Sequence, residues 1–171
     1  CAKSGTDGSG IASGEGFVQF RVAADDGTGH PDILELLEGL AYRGVKATFL
    51  LCGYRMEQYP DLTQRIFDEG HEIGLHGYSH DPMKSMSRRT IAQELMDTEA
   101  LLPEGCHPAF LRPPGGFSSD AVKQVAAARG LAILHWSVDP EDWATHSTAA
   151  IEQAVLKQVK NGDIILLHDM S

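Results

Sequence analysis

The chain alternates between short apolar runs and longer segments in which apolar residues recur every three to four positions. Short apolar runs are typical of buried strands, and the longer spacing is typical of helices with one buried face. Six strands are predicted on this basis, at 17–23, 45–52, 72–76, 110–112, 131–138 and 163–168. Helices are predicted between them, at 31–43, 61–69, 87–102, 119–129 and 148–160. Strands that alternate with helices indicate a parallel sheet covered by helices, either an open doubly wound sheet or a barrel.

Local residues mark the ends of two of these helices. Pro31 lies in the first turn of the first helix and Gly44 follows its end, which is the usual distribution of these two residues. The second helix is expected to begin with Asp61 as its N-cap, because Gln64 follows three residues later and Gly70 comes just past the end. These signals predict where the helices start and stop.

Composition indicates one globular domain. The chain has 171 residues, of which 42% are hydrophobic and 22% charged, and its mean hydropathy is −0.20. Such a length can bury a core without disulfide bonds. No run of 18 apolar residues occurs, so no membrane span is expected. Residues 1–16 are rich in Gly and Ser and are expected to form a flexible leader, followed by one domain at 17–171.

The balance of charge narrows the class of partner. The formal net charge is −10, with 14 basic residues scattered among 24 acidic ones. Binding to nucleic acid relies on clustered Lys and Arg, so no nucleic-acid partner is expected. Neutral or positively charged partners are easier to accommodate.

Three cysteines occur, and none of them has zinc-ribbon or CxxC spacing. Cys52 ends an apolar run and is expected to pack in the core. Cys1 opens a polar, Gly/Ser-rich stretch, as does the acylated cysteine of a mature bacterial lipoprotein. This pattern favours a lipid anchor at Cys1 and an extracytoplasmic location, either secreted, periplasmic or on the cell envelope. An arbitrary starting point of the sequence is the alternative.

Polar residues capable of chemistry follow the predicted strands. In parallel α/β folds the carboxyl ends of the strands face one side of the molecule, and that side carries the active site. Residues far apart in the chain are therefore expected to converge there. They are Asp25 and Asp26 after the first strand, His76 and His80 after the third, Arg112 at the fourth, Asp139, Asp142 and Trp143 after the fifth, and His168 at the sixth.

His76-Gly-Tyr-Ser-His80 is the sharpest local pattern. Two imidazoles at this spacing can bind one divalent metal, although most such pairs are surface or packing histidines. Gly77 and Ser79 directly after a strand favour a loop over a helix. With an Asp from a neighbouring strand, a His₂Asp set with one open position results, which is the catalytic rather than the structural arrangement.

Each remaining motif also has an ordinary explanation. Asp-Asp-Gly at 25–27 is a common turn sequence. Arg112 and the Pro-Pro-Gly-Gly that follows would form a stiff loop, or an Arg that holds a carboxylate beside a backbone N–H for an oxyanion. Asp142 could only cap a helix, and His168 could be a histidine near the core.

Taken in order, these motifs resemble those of the polysaccharide deacetylases of carbohydrate esterase family 4, which share the NodB-homology domain. The resemblance runs from about Phe17 to Asp169. Its motifs are ADDG for the family's TFDDG, HGYSH for HxxSH, RPPGG for the Arg-Pro-rich motif, SVDPEDW for DxxDW, and LLH for LxH. The resemblance implies a distorted, incomplete (β/α) barrel with about six to seven parallel strands. It also implies a divalent metal, zinc before cobalt, manganese or nickel.

The resemblance further implies a role for each matching residue. Asp26, His76 and His80 would bind the metal, and Asp25 would be the general base that takes a proton from the attacking water. His168 would protonate the leaving group. Arg112 would hold Asp25, and Asp142 would orient His168 and raise its pKa. The Gly115 N–H would face the oxyanion. The substrate would be bound by Pro114, Asp139, Trp143 and Leu166, with Trp143 and Leu166 around the acetyl methyl group.

The chain departs from the family pattern in three places. Ala23-Ala24 stands where Thr-Phe is usual, and Gly115 stands where many members have Tyr, which removes a side-chain wall of the groove. The sequence also ends three residues past His168, where members usually continue with another helix and strand. This predicts either a shortened domain or a barrel that closes differently.

The function expected from the resemblance is removal of N-acetyl groups from a GlcNAc-containing polymer such as peptidoglycan or a chitin-like chain, by a monomer. An O-acetyl esterase of xylan would use the same motifs. Two further candidates are a small-molecule amide or cyclic-imide hydrolase and a non-catalytic carbohydrate-binding protein. Retention of both histidines with Asp26 speaks against a metal-free hydrolase, and retention of Asp25 and His168 speaks against a binding protein.

Overall fold

A computed structural model of the protein describes residues 24–25, 31–145 and 147–168. The predicted alternation of strands and helices is present throughout this part of the chain. The strands are β1 Ala24–Asp25, β2 Thr48–Leu51, β3 Glu72–Leu75, β4 Phe110–Leu111, β5 Ala132–Ile133 and β6 Leu167–His168. The helices are α1 Pro31–Arg43, α2 Gly53–Gln58, α3 Pro60–Asp68, α4 Arg88–Glu99, α5 Asp120–Ala128 and α6 Thr148–Gln158.

All of these strands pair in parallel. One ladder has the order β2-β3-β4-β5, and a second joins β1 to β6. A parallel bridge between Val138 and Ile165 connects the chain after β5 to the chain before β6, and β1 lies beside β2. The strands thus follow one another around an incomplete barrel, whose backbone ladder is not closed in the described residues. This confirms the predicted fold class.

Both faces of β2 are apolar because helices cover one side and the barrel interior the other. Phe49 and Leu51 pack outward in a cluster with Ile33 and Leu37 of α1. Leu50 points inward, where a small cluster also contains Leu134 and Leu166. The interior is narrow, since a Cβ added to Gly74 of β3 would lie 2.5 Å from Leu50 Cδ2.

Several helix boundaries follow directly from the sequence. Helix α1 has the predicted bounds. Helices α4 and α5 begin after Ser87 and Ser119, whose hydroxyls accept the backbone N–H groups of Thr90 and Val122. Within the described residues no helix combines the length and apolar character needed to cross a bilayer.

Two helix predictions are corrected. Asp61 is not an N-cap, because α3 begins at Pro60 and Asp61 lies in its first turn. A carboxylate in the first turn is stabilised by the positive end of the helix dipole. Helix α2 was not predicted at all, and its N-cap residue makes no side-chain cap hydrogen bond. Its first two N–H groups, of Gly53 and Tyr54, instead donate to the carbonyls of Gly77 and Tyr78. A tertiary contact therefore sets where α2 starts.

The last two strands are shorter than predicted. The segment 131–138 pairs with β4 only near its start, where Leu134 N–H donates to Leu111 O, and Val138 then pairs with Ile165. Between these two points the chain leaves β4 and pairs with the segment before β6. The single apolar run at 131–138 therefore forms two short parallel pairings instead of one long strand. The predicted strand at 17–23 and the leader at 1–16 lie outside the described residues.

Candidate active site

The predicted site residues gather at the carboxyl ends of the strands. His76 follows β3, Arg112 follows β4 and His168 ends β6. Asp25 ends β1 and is paired in register with His168 across the β1–β6 ladder. The parallel topology therefore brings these four motifs to one edge of the barrel, and Asp142 of the fifth contacts His168 there.

His76 and His80 lie against each other. Their ring centroids are 4.9 Å apart with an interplanar angle of 55°. The segment between them is a loop, as predicted, and not a turn of helix. His80 has φ +66°, in the left-handed region that is unfavourable for a residue with a side chain. Such a conformation persists only where the surroundings impose it, and it is common at functional sites.

A hydrogen bond sets the tautomer of His76. Its side chain is fully buried, and Nδ1 lies 2.7 Å from the carbonyl oxygen of Arg112. A carbonyl only accepts, so Nδ1 carries the hydrogen and Nε2 carries the lone pair that a metal would bind. In metal-binding histidines, the ring nitrogen that does not bind the metal usually donates to a carbonyl or carboxylate in this way.

Arg112 has a second role that its motif did not suggest. Its backbone carbonyl orients His76, while the residue as a whole is only 1% exposed. The guanidinium Nε donates to Leu134 O at 3.4 Å, and Cζ lies 5.2 Å from the centroid of the Trp136 ring. Arg112 therefore links β4 to the loop after β5 beneath the histidine pair.

Glu94 of α4 holds the histidine loop, and it is not among the site residues predicted from the sequence. Its Oε2 accepts the backbone N–H groups of Tyr78 and Ser79 at 2.8 and 2.9 Å. The Ser79 hydroxyl donates to the same oxygen at 3.1 Å. In the sequence, Glu94 is one of several polar residues on an amphipathic helix, so no local signal distinguishes it.

Replacing Glu94 by alanine is expected to weaken zinc binding by about tenfold to a hundredfold, the usual contribution of groups that support metal ligands. The two N–H groups between the histidines would lose their common acceptor, and the loop would sample other conformations. Glu94→Gln keeps an oxygen acceptor and is expected to lose less. Isothermal titration with zinc measures both, with Gln93→Ala on the exposed side of the same helix as the matched control. Equal affinity in Glu94→Ala and the wild type would contradict this role.

Asp142 and His168 form the second polar pair. Asp142 Oδ1 lies 2.7 Å from His168 Nδ1, and Oδ2 accepts the His168 backbone N–H at 2.5 Å. The exposed side-chain fractions are 7% for Asp142 and 18% for His168. Burial opposes ionisation of Asp142, but the hydrogen bonds from His168 outweigh it and hold the pKa of this carboxyl below its usual value. The carboxylate therefore keeps the hydrogen on Nδ1 and leaves Nε2 for proton transfer.

The loop that carries Asp142 is held in a strained conformation. Glu141 has φ +54°, and its N–H donates to Asp139 Oδ1 at 2.9 Å. Asp139 thus shapes the loop from within. Trp143, directly after Asp142, is 62% exposed and offers an uncovered aromatic surface beside the pair. Leu166, predicted to line the substrate pocket, is 4% exposed and packs with Leu50 and Leu134.

The Pro-Gly-Gly segment depends on its two glycines. Pro114 is buried, and Gly115 and Gly116 have φ +71° and +73°. A Cβ at Gly116 would lie 2.5 Å from the Trp136 ring. Positive φ at both positions turns the chain sharply, which any larger residue would resist.

The carboxylates predicted as general base and metal ligand are not described by the structure. The Asp25 side chain and the whole of Asp26 lie outside the described residues, so their roles as base and ligand stay predictions. Cys52 is an additional donor that was expected only in the core. The ligand atoms of Cys52, His76 and His80 all lie within 4.8 Å of one another. Together with a carboxylate from Asp26, as predicted, the two imidazoles would form a donor set that fits a divalent metal such as zinc.

Comparison with known proteins gives concordant similarities. A family profile described as polysaccharide deacetylase matches residues 22–134. A chitooligosaccharide deacetylase of Sinorhizobium fredii is 36% identical over 160 residues, which are 92% of this chain and 74% of that protein. A peptidoglycan-N-acetylglucosamine deacetylase of Bacillus cereus is 36% identical over 154 residues, covering 86% of this chain and 71% of the relative.

Solved structures share the fold. A family 4 carbohydrate esterase from Streptomyces lividans in complex with acetate has a TM-score of 0.81 at 32% identity, over 88% of this chain and 79% of that one. A CE4 family pseudoenzyme from Bacillus anthracis has a TM-score of 0.82 at 28% identity, over 90% and 56%. A carbohydrate esterase and a pseudoenzyme share this fold, so catalysis has to be argued from the site residues.

Proposed function

Because the chain belongs to the polysaccharide deacetylase family, we propose that it is a zinc hydrolase that removes N-acetyl groups from a GlcNAc-containing glycan. One observation carries the proposal. Two features needed for metal-assisted amide hydrolysis, a pair of histidines in contact and a separate carboxylate-bound histidine, lie at the same strand edge. The names of the two curated relatives support an N-acetylated sugar as the substrate.

A divalent metal held by His76, His80 and Asp26 would supply Lewis acidity toward the acetyl carbonyl and the attacking water. Asp25 takes the proton of that water, which adds to the carbonyl carbon. The Gly115 N–H faces the developing oxyanion, and its positive φ is part of the sharp turn in that loop. The C–N bond then breaks, giving acetate and a glucosamine residue.

The leaving amine needs a proton, and His168 is the group suited to supply it. Its Nδ1 is engaged by Asp142, so Nε2 is the atom that transfers the proton. The exposed Trp143 ring offers an apolar surface for the acetyl methyl group. We propose that the buried side chains of Pro114 and Leu166 form the floor of that pocket. Arg112 keeps Asp25 ionised, and Asp139 holds the loop that presents Trp143.

The natural substrate is proposed to be peptidoglycan or a chitin-like chain, which implies action outside the cytoplasm. A lipid anchor at Cys1 remains a prediction, because Cys1 lies outside the described residues. A monomer is sufficient for this chemistry, because all the proposed catalytic groups come from one chain.

Acetate release from a panel of substrates tests the function. We expect release from chitooligosaccharides or peptidoglycan and much less from acetylated xylan. Dialysis against a strong chelator should abolish release, and zinc or cobalt should restore it. Preference for xylan would make the protein an O-acetyl esterase, and full activity after chelation would exclude the metal mechanism. Binding to these glycans without any release of acetate would favour a non-catalytic carbohydrate-binding protein.

A further inference from the structure

Cys52 occupies an unusual position for a buried cysteine. It directly follows β2, carries a reduced thiol and is fully buried. Yet it belongs to none of the three apolar clusters formed by the described core residues. Its Sγ lies 3.8 Å from the carbonyl oxygen of His76. Cys52 is therefore a buried core residue whose sulfur lies beside the histidine loop.

The sulfur of Cys52 lies near both histidine rings. Its Sγ and one ring nitrogen each of His76 and His80 lie within 4.8 Å of one another. Sulfur at about 2.3 Å and nitrogen at about 2.0–2.1 Å from a tetrahedral zinc would be roughly 3.5 Å apart. A contraction of about 1 Å, within reach of side-chain rotation, would bring the three atoms onto one ion.

We propose that Cys52 is a further protein ligand of the metal, so that a thiolate joins the imidazoles of His76 and His80. The proposal rests on the metal site of the proposed function. On binding the metal, Cys52 would give up its thiol proton to solvent and exchange its contact with the His76 carbonyl for one with the ion. Zinc tolerates an additional ligand, so a Cys52 thiolate would be compatible with access of water to the metal.

A sulfur ligand changes which metals the site prefers. Thiolates favour zinc, cobalt and cadmium, whereas manganese and magnesium prefer oxygen donors. Cys52→Ala is therefore expected to weaken binding of zinc and cadmium by about a hundredfold or more, beyond the range set by supporting groups. Binding of manganese should change little, because that ion depends on the carboxylate and the imidazoles.

The absorption spectrum of the cobalt-loaded protein tests the proposal without using activity. We expect an intense near-ultraviolet thiolate-to-cobalt charge-transfer band in the wild type and its loss in Cys52→Ser and Cys52→Ala. The weaker visible cobalt bands should persist in both variants. Thermal unfolding of the metal-free proteins shows whether each variant folds. If the buried hydroxyl of Cys52→Ser prevents folding, Cys52→Ala provides the test.

The outcomes separate this inference from the proposed function. If cobalt binds with visible bands that depend on His80 but shows no charge-transfer band, Cys52 is only a packing residue and the metal site stands. Equal ratios of cadmium to manganese affinity in the wild type and Cys52→Ala would overturn the inference as well. If cobalt does not bind to the wild type at all, the metal mechanism itself fails.

Discussion

His80→Asn is expected to reduce kcat/KM for acetate release by about a thousandfold and to abolish tight zinc binding. Removing one imidazole from a three- or four-ligand site forfeits the Lewis acidity that a catalytic metal supplies, which is worth several kcal/mol, and each 1.36 kcal/mol is about tenfold in rate. Asparagine is the appropriate replacement because it tolerates the left-handed backbone that His80 adopts at φ +66°. The backbone of the loop is thus preserved while the imidazole is lost.

His80 gives a cleaner test than His76. His76 is fully buried, and its removal would leave the Arg112 carbonyl without its Nδ1 partner, which costs about 1–3 kcal/mol of folding stability. Activity measured on His76→Ala would therefore combine two effects. His80 is only half-buried, so its substitution separates chemistry from folding.

His107→Asn is the matched control, since His107 is an exposed histidine that precedes β4, whereas the site lies at the carboxyl end of that strand. It should leave acetate release and zinc content unchanged. Zinc content measured by mass spectrometry and the melting temperature of each metal-free protein complete the experiment. If His80→Asn retains the wild-type zinc content and rate, the histidine pair does not form the metal site.

The sequence carried enough information to predict the fold and the convergence of the site. Short apolar runs separated by amphipathic helices require parallel crossovers, which place every strand's carboxyl end on one side. The contact between His76 and His80 and that between Asp142 and His168 both occur at that side. The HxxxH spacing places both histidines on one loop after β3. The parallel topology brings Asp142 and His168, which are 26 positions apart, to the same side.

The supporting contacts could not be predicted in the same way, because they come from tertiary packing. Glu94 reaches the histidine loop from α4, 15 positions away from Ser79. Helix α2 starts where its N–H groups meet the carbonyls of Gly77 and Tyr78, so it has no capping residue to recognise. In the sequence Cys52 resembles a core residue in an apolar run, and only the pairing of β2 with β3 brings it beneath His76.

His168→Ala is expected to lower kcat by about a hundredfold to ten-thousandfold, the usual contribution of a general acid or base. Asp142→Asn should lower kcat less, by about tenfold to a hundredfold, with little change in KM. An amide has one oxygen, so it cannot accept both the backbone N–H and the Nδ1 hydrogen of His168. Its NH₂ group would face a donor, and the imidazole would lose the orientation that directs Nε2 to the leaving amine.

Asp142 also predicts how stability depends on pH. Its pKa in the folded protein lies below 3.8, the ordinary value of an Asp carboxyl. The folded state therefore holds this proton more weakly than the unfolded chain, and unfolding takes up a proton in acid. The stabilisation is complete above pH 3.8 and is lost as the pH falls through the lower folded-state pKa. Asp142→Asn should lack this acid-dependent component.

Asp163→Asn is the matched control for both effects. Hydrogen bonds from Ser137 Oγ and from the Lys160 N–H also lower the pKa of Asp163, yet this carboxylate touches no imidazole among the described residues. Its loss should reduce acid-dependent stability but leave kcat and its pH profile unchanged. Melting curves from neutral to acidic pH and kcat against pH distinguish the two carboxylates. If both variants lower kcat equally, the effect of Asp142 is structural, and His168 does not depend on it for proton transfer.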